Sequence, residues 1–137
     1  MGAAMAPAAA KTLLDYLNAT GTTPGDYDRI LTGDLGWIGA GHFKELCAQN
    51  GVVLDHNYLD CGTQIYKKDQ DVHSGASGSG CSAFYLCGYL EKVWRKTPFA
   101  RVLLIGTGAL MSPLTIQQKQ SIPAIAHAVE FGKEPII

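Results

Sequence analysis

Apolar residues recur at helical spacing in three separate stretches of the chain. These stretches are the alanine-rich segment 1–18, the segment 42–49 and the segment 81–96. Residues three and four positions apart share one face of a helix, so each stretch predicts an amphipathic helix. Gly21 follows the first stretch and Asn50-Gly51 follows the second, which are the residue types expected where helices end.

Shorter apolar segments, rich in β-branched residues, predict strands. The clearest is 101–108, which is apolar on both faces, as in the centre of a covered sheet. Segments 27–32 and 126–131 predict two more strands. The segment 63–66 is a further candidate, and 52–54 is either a brief strand or a buried loop. Helices alternate with strands, so the predicted class is α/β, with helices packed on a mixed β-sheet.

The organisation of the chain is unusual in one respect. It begins directly in a predicted helix, with no strand before it to start the alternation, and it contains no internal repeat. A length of 137 residues is enough for one domain with its own core. We therefore expect residues 1–137 to form a single domain that is one half of a larger two-part fold, without its first strand.

Composition excludes several classes of function. Eleven basic and twelve acidic residues give a net charge of −1, which argues against a nucleic-acid partner. Neither a membrane-spanning apolar run nor a signal peptide is visible, so a soluble, cytosolic chain is expected. The irregularly spaced cysteines indicate reduced thiols, with Cys47 and Cys87 as core residues on helices. The spacing supports no metal site, and no cofactor is indicated.

A glycine-rich stretch, 75–82, leads into the third predicted helix. Free amides at a helix start attract anions, which makes this stretch a candidate ligand site. It matches neither a Walker motif nor a dinucleotide fingerprint, and close packing of backbone is an equally good explanation. Two further small-residue turns, Gly33–Gly36 and Gly106–Gly108, follow predicted strands. Ligand sites in α/β sheets gather at the carboxyl ends of strands, so the three loops could line one crevice.

Two side chains near this loop are weak catalytic candidates. Cys81 lies at the start of the third helix, where the dipole favours a thiolate, but a nucleophile also needs a positioned base. His73 could fold back as that base, or could bind an anion. A small packed residue is the favoured interpretation of Cys81, and a locally bonded loop residue is an equal alternative for His73.

Several segments of the sequence resemble the stage V sporulation protein AD family. They are 1–8, 32–36, 70–83, 107–113, 117–123 and 126–128. The resemblance covers most of the chain, and because the family's proteins are longer, it implies a C-terminal half. It also implies a thiolase-like fold, similar to ketoacyl synthase III, built from two βαβαβ-type halves.

The same resemblance implies a function in the spore. The family's role is to bind dipicolinic acid and to help a membrane complex move it into the forespore. The expected partners are therefore dipicolinic acid and the other proteins of the spore membrane uptake complex, with a homodimer in the intact protein. The expected location is the forespore, peripheral to the inner membrane, with no membrane-spanning segment in this chain.

The resemblance also bears on catalysis. Thiolase-type enzymes use a cysteine of the first half with histidine or asparagine partners from the second, and Ala76 falls at one such partner position. Gly33-Asp34 falls near the other. Alanine can neither donate a hydrogen bond nor shuttle a proton, so a binding protein without catalytic residues is implied. The ligand-binding residues expected on this basis are Gly75, Ala76, Ser77, Gly78, Ser79, Gly106, Thr107 and Gly108.

Two alternatives remain open. One is an acyltransferase fragment, similar to thiolase or ketoacyl synthase III, that uses Cys81 or a cysteine of the first half. The other is a scaffold whose sheet serves dimerisation and docking to membrane partners.

Overall fold

A computed structural model describes residues 1–96 and 100–132 of the chain. The longer helices are α1 (Gly2–Thr20) and α2 (Gly36–Gln49), and the strands are β1 (Arg29–Thr32), β2 (Tyr58–Asp60), β3 (Arg101–Ala109) and β4 (Ala124–Gly132). The shorter helices are α3 (Cys61–Gln64), α4 (Cys81–Phe84), α5 (Glu91–Lys96) and α6 (Pro113–Gln117). A π-helical segment, Tyr85–Leu90, joins α4 to α5, and a 3₁₀ turn spans Pro24–Asp26.

The four strands form one sheet in the order β2-β1-β3-β4. β1 pairs in parallel with β2 and with β3, so that Ile30 lies beside Tyr58 on one side and Leu103 on the other. β4 pairs antiparallel with β3. The mixed α/β class is confirmed. Because β1, β2 and β3 run in parallel, their carboxyl ends meet at the same edge of the sheet.

Helix α1 covers one face of the sheet. Its buried side is made mostly of alanine and leucine, which lets the helix lie close to its neighbours. Thr12 donates a hydrogen bond to the carbonyl of Ala126 (3.0 Å). Tyr16 donates to Glu130, which also accepts two bonds from Arg101. These polar contacts hold α1 in register with β3 and β4. The helix ends where predicted, since Gly21 has a φ of 65°.

The opposite face is covered by the helical stretch from α4 to α5. Its predicted bounds are confirmed, but the predicted buried face is wrong in part, because Cys87 is exposed. The residues that reach the core are Cys81, Tyr85 and Leu90. Tyr85 and Leu90 are five residues apart, which is the spacing of a π-helix, so a face predicted from steps of three and four shifts out of phase.

Helix α2 begins at Gly36, six residues before the predicted start. Its first turns contain three glycines, which intrinsically disfavour helix. Packing explains them, because a Cβ on Gly39 would lie 2.6 Å from the backbone of Gly2 in α1. The close approach of α1 and α2 therefore requires glycine at position 39. Glycine is also the residue type that weakens the helical pattern in the sequence.

Three of the predicted segments need correction. The predicted strand at 63–66 is wrong, since Cys61–Gln64 is helical and the strand there is β2 at Tyr58–Asp60. Segment 52–54 is a loop in which Leu54 is buried. The predicted turn at 106–108 lies within β3, where Gly106 pairs with His127 and Gly108 with Ile125, because β4 extends the ladder to that point.

Candidate functional site

Two carboxylates organise the edge of the sheet where β1 and β2 end. The first is Asp60, which is almost fully buried at the end of β2. One of its oxygens accepts hydrogen bonds from Thr32 Oγ1 (2.7 Å) and the Leu35 amide (2.9 Å), and the other accepts from the Gly36 amide (3.0 Å). Burial raises the pKa of Asp60, and these three donors oppose that shift. Asp60 thereby fixes the turn 33–36 that leads into α2.

The second carboxylate is Asp34, at the carboxyl end of β1. Its Oδ1 accepts from Thr107 Oγ1 (2.8 Å), and its Oδ2 accepts from Ser77 Oγ (3.0 Å) and the Gly78 amide (2.9 Å). The Asp34 amide donates back to Thr107 Oγ1 (3.1 Å). We call Asp34, Ser77, Gly78 and Thr107 the Asp34 hub. The hub brings together residues from all three segments that the sequence placed at one crevice, although the third, 106–108, lies within β3 and is not a loop.

The hydrogen bonds of the hub limit what this edge of the sheet can bind. Ser77, the Gly78 amide and Thr107 are the donors that a bound carboxylate would use, and the protein's own Asp34 already occupies them. A ligand carboxylate would have to displace Asp34 and approach its negative charge. The ligand-binding role of residues 75–79 and 106–108 stays a prediction.

Two neighbouring residues of the glycine-rich stretch, Gly75 and Ala76, have packing roles. The Ala76 amide donates to the Gly62 carbonyl (2.8 Å), and the Ala76 side chain packs against the core beneath α4. A Cβ on Gly75 would lie 2.7 Å from the Gly62 carbonyl oxygen, and Gly75 has a φ of 105°. Gly75 is therefore required for the close approach of this loop to α3. Ser79 is exposed.

The two catalytic candidates lie in different environments. Cys81 is buried, and its burial, together with the negative charges of Asp34 and Asp60, raises the pKa of the thiol to about 11. The structure thus favours the packed interpretation of Cys81 over an activated thiolate. His73 is exposed, with Nδ1 3.4 Å from an oxygen of Asp71. Among the hydrogen bonds of residues 1–96 and 100–132, none joins His73 to Cys81.

A cleft of about 590 Å³ adjoins the hub. It lies between the first turn of α2 and the segment that follows α3, and it is lined by Trp37, Tyr66, Lys67, Lys68 and His73, among others. Of its lining residues, the sequence pattern indicated His73 and Gly75 but not Trp37, Tyr66, Lys67 or Lys68. Trp37 directly follows the Gly33–Gly36 turn, but its position in a cleft depends on segment 66–75, about thirty residues away.

No group of three or more His, Cys, Asp or Glu side chains in residues 1–96 and 100–132 is arranged to hold a metal ion. Within the same ranges, no helix has the length and apolar character needed to cross a bilayer.

The fold and site together define a mixed α/β protein with a closed hydrogen-bonded hub at the carboxyl ends of its parallel strands. A family model described as Stage V sporulation protein AD (SpoVAD) matches residues 1–132. A protein named Stage V sporulation protein AD, from Bacillus subtilis (strain 168), is 44% identical over 133 residues. The chain therefore belongs to the stage V sporulation protein AD family.

The matched region is unequal in the two proteins. It covers 97% of this chain but only 39% of the Bacillus subtilis protein. Membership of the family supports a role in sporulation.

Proposed function

We propose that the protein is a thiolase-like, non-catalytic protein that binds dipicolinic acid and supports its uptake into the forespore during sporulation. In this proposal it acts with other proteins of the spore membrane complex and at the inner membrane of the forespore. Family membership supports the sporulation role, and the closed hub and the raised pKa of the Cys81 thiol argue against a catalytic role for these residues. The proposal depends on two observations. The pKa of the Cys81 thiol is raised, and Asp34 accepts the hydrogen bonds of Ser77, Gly78 and Thr107.

A nucleophilic cysteine reacts as the thiolate. Burial and the nearby carboxylates raise the pKa of the Cys81 thiol to about 11, so the protonated, weakly nucleophilic form dominates at neutral pH. The hydroxyls of Ser77 and Thr107 donate to Asp34, so they are held as structural donors. Ala76 offers only a methyl group. These environments do not favour acyl transfer by this part of the protein.

Calorimetry with sodium dipicolinate tests the proposal directly. Both this chain and the longer Bacillus subtilis relative should be titrated in metal-free buffer near pH 7.5. We expect saturable binding with one ligand per chain. A flat titration of both proteins up to millimolar ligand would overturn the proposed ligand.

A matched variant separates binding from acyl transfer. Cys81→Ser removes the thiol with little change of volume, so dipicolinate affinity should stay within twofold of the unmodified protein. Thioester hydrolysis that depends on Cys81 would instead favour the acyltransferase alternative.

A further inference from the structure

The loop between β3 and β4 exposes four large aliphatic side chains. They are Leu110 (64% exposed), Met111 (50%), Leu114 (60%) and Ile116 (60%). We call residues 110–123, which include α6, the 110–123 loop. Among the described residues, none of the four packs into either hydrophobic core, and α6 has no buried residue. Aliphatic side chains that lie close together and do not stabilise the fold form an apolar patch, and such patches mark interaction surfaces.

The 110–123 loop is ordered by its own hydrogen bonds. The Leu110 amide donates to the Pro123 carbonyl (3.0 Å), which closes the loop at its base. Ser112 Oγ accepts from the Thr115 amide (3.1 Å) and caps α6. The Gln120 amide donates to the Thr115 carbonyl (3.0 Å). Because these backbone groups are already paired, moving the loop from water into an apolar phase leaves fewer of them without a partner.

The composition of the loop favours a lipid surface over a protein partner. The centres of protein interfaces are enriched in aromatic residues and arginine, and the 110–123 loop contains neither. Its only charged residue is Lys119, which is exposed, and the sequence has no Asp or Glu between Glu91 and Glu130. Aliphatic side chains near a positive charge suit a bilayer with anionic lipids, where the aliphatic groups bury apolar area and the lysine meets the headgroups.

The loop lies at the same edge of the sheet as the Asp34 hub. β3 runs parallel to β1, so the loop that follows β3 leaves the sheet at the carboxyl edge. Thr107, which donates to Asp34, lies in β3 just before Leu110. A bilayer that meets the 110–123 loop would therefore face the hub side of the domain.

We propose that the 110–123 loop inserts its four aliphatic side chains into the surface of a bilayer that contains anionic lipids, with Lys119 among the headgroups. The inference rests on the proposed function, which has the protein act at a membrane, and it names the surface of this chain that meets the lipid. A single acyl chain gives reversible binding with an association constant on the order of 10⁴ M⁻¹, and we expect the loop to bind lipid no more tightly than that.

Flotation with lipid vesicles tests this surface. The vesicles contain equal amounts of phosphatidylglycerol and phosphatidylcholine, and the share of the chain that floats with them should rise with lipid concentration. Aggregated protein without lipid sediments, so self-association does not imitate binding. Vesicles of phosphatidylcholine alone should bind more weakly, because Lys119 then meets no anionic headgroup. Absence of flotation with the mixed vesicles at millimolar lipid would overturn the inference.

Substitutions identify the side chains that meet the lipid. Leu114→Gln should weaken vesicle binding about tenfold, since it removes an aliphatic side chain that gains burial in the bilayer. Val53→Gln is the matched control, because Val53 is 73% exposed in the loop that precedes β2, at the opposite edge of the parallel strands. Val53→Gln should change binding less than about twofold. Circular dichroism checks that both variants are folded, and equal binding by Leu114→Gln and the unmodified protein would overturn the assignment of the loop.

Fluorescence locates the loop in the bilayer. Ile116→Trp and Val53→Trp each add one tryptophan to Trp37 and Trp94. Lipids that are brominated on their acyl chains quench a tryptophan that lies among those chains. The emission added by Ile116→Trp should shift to the blue and be quenched, whereas the emission added by Val53→Trp should stay that of an exposed indole. Quenching of neither, or of the Val53→Trp emission alone, would show that the loop stays in water and would overturn the inference.

Two binding measurements separate this inference from the proposed function. Calorimetric binding of dipicolinate without flotation would support the proposed ligand and overturn the lipid surface. Flotation that depends on Leu114, without dipicolinate binding, would support the lipid surface and overturn the proposed ligand. If the chain binds neither dipicolinate nor vesicles, both proposals fail.

Discussion

Replacing Asp34 with alanine removes the acceptor of three hydrogen bonds at once. Ser77, the Gly78 amide and Thr107 would each lose a partner 2.8–3.0 Å away. A hydrogen bond contributes roughly 0.5–1.5 kcal/mol, and a charged acceptor raises that value, but Ser77 and Gly78 are exposed and recover bonds to water. Three bonds at about 1 kcal/mol each give an expected loss of about 3 kcal/mol.

The variant Asp34→Asn should lose only part of that stability. The carbonyl oxygen of the asparagine side chain can accept from Thr107, and its NH₂ group can donate to Ser77 Oγ. The NH₂ group then also faces the Gly78 amide, which is itself a donor and loses its acceptor. We expect a loss of about 1 kcal/mol for this variant. Asp15→Ala is the matched control. Asp15 forms an exposed ion pair with Lys11 on α1 and should contribute less than about 0.5 kcal/mol.

Urea unfolding measures these differences. With a slope of about 2 kcal/mol per molar urea, Asp34→Ala should lower the midpoint by about 1.5 M. Hydrogen exchange should also quicken at the Gly78 amide in both Asp34 variants, since each removes its acceptor. If Asp34→Ala unfolds at the same urea concentration as Asp15→Ala, and the Gly78 amide exchanges at an unchanged rate, then Asp34 does not organise the loops.

Three further results are expected. Burial raises the pKa of Asp60, so the folded state holds its proton more tightly than the unfolded chain, whose aspartates titrate near pH ~3.9. The free energy of unfolding should therefore fall as pH rises from ~3.9 to the raised value. In Asp60→Asn this dependence on pH should be lost, and urea unfolding that shows the same dependence in both proteins would refute the reasoning. At neutral pH a maleimide should label one thiol quickly, and Cys87→Ser should abolish that phase, because Cys87 is exposed while Cys47, Cys61 and Cys81 are buried with raised pKa values. In the described sheet β4 is an edge strand of nine residues with Ile125 and Val129 exposed, so the chain should self-associate in sedimentation runs, Val129→Lys should weaken association at least tenfold, and a monomer at all concentrations would contradict the prediction.

Elements with a strong local signal could be predicted from the sequence. Helix α1 has an uninterrupted apolar side and a terminating Gly21, and β3 is apolar on both faces, so neither depends on distant residues for its identity. β2 has three residues and exists because Tyr58–Asp60 pairs with β1, a partner nearly thirty residues away. Periodicity cannot detect a strand whose existence depends on its neighbour.

The candidate site was also only partly predictable from the sequence. The meeting of the segments 33–36, 75–82 and 106–108 followed from the rule that the carboxyl ends of parallel strands share an edge. The partners of Asp34 did not follow, because they lie 43, 44 and 73 residues along the chain. The π-helical segment also gave no signal in the sequence, although it decides that Tyr85 and Leu90, and not Cys87, enter the core.

Electrostatics distinguishes the hub from the cleft as a place for an anion. Two unit charges about 5 Å apart near a protein surface interact by about 3 kcal/mol at an effective dielectric constant of about 20. A ligand carboxylate at the hub would meet that repulsion from Asp34 and would also displace the three donors that Asp34 holds. The neighbouring cleft is lined by Lys67 and Lys68 but also by Asp69 and Asp71, so its basic and acidic side chains balance. Since Gly75 lines the cleft and belongs to the loop that carries Ser77, the hub supports one wall of that cleft.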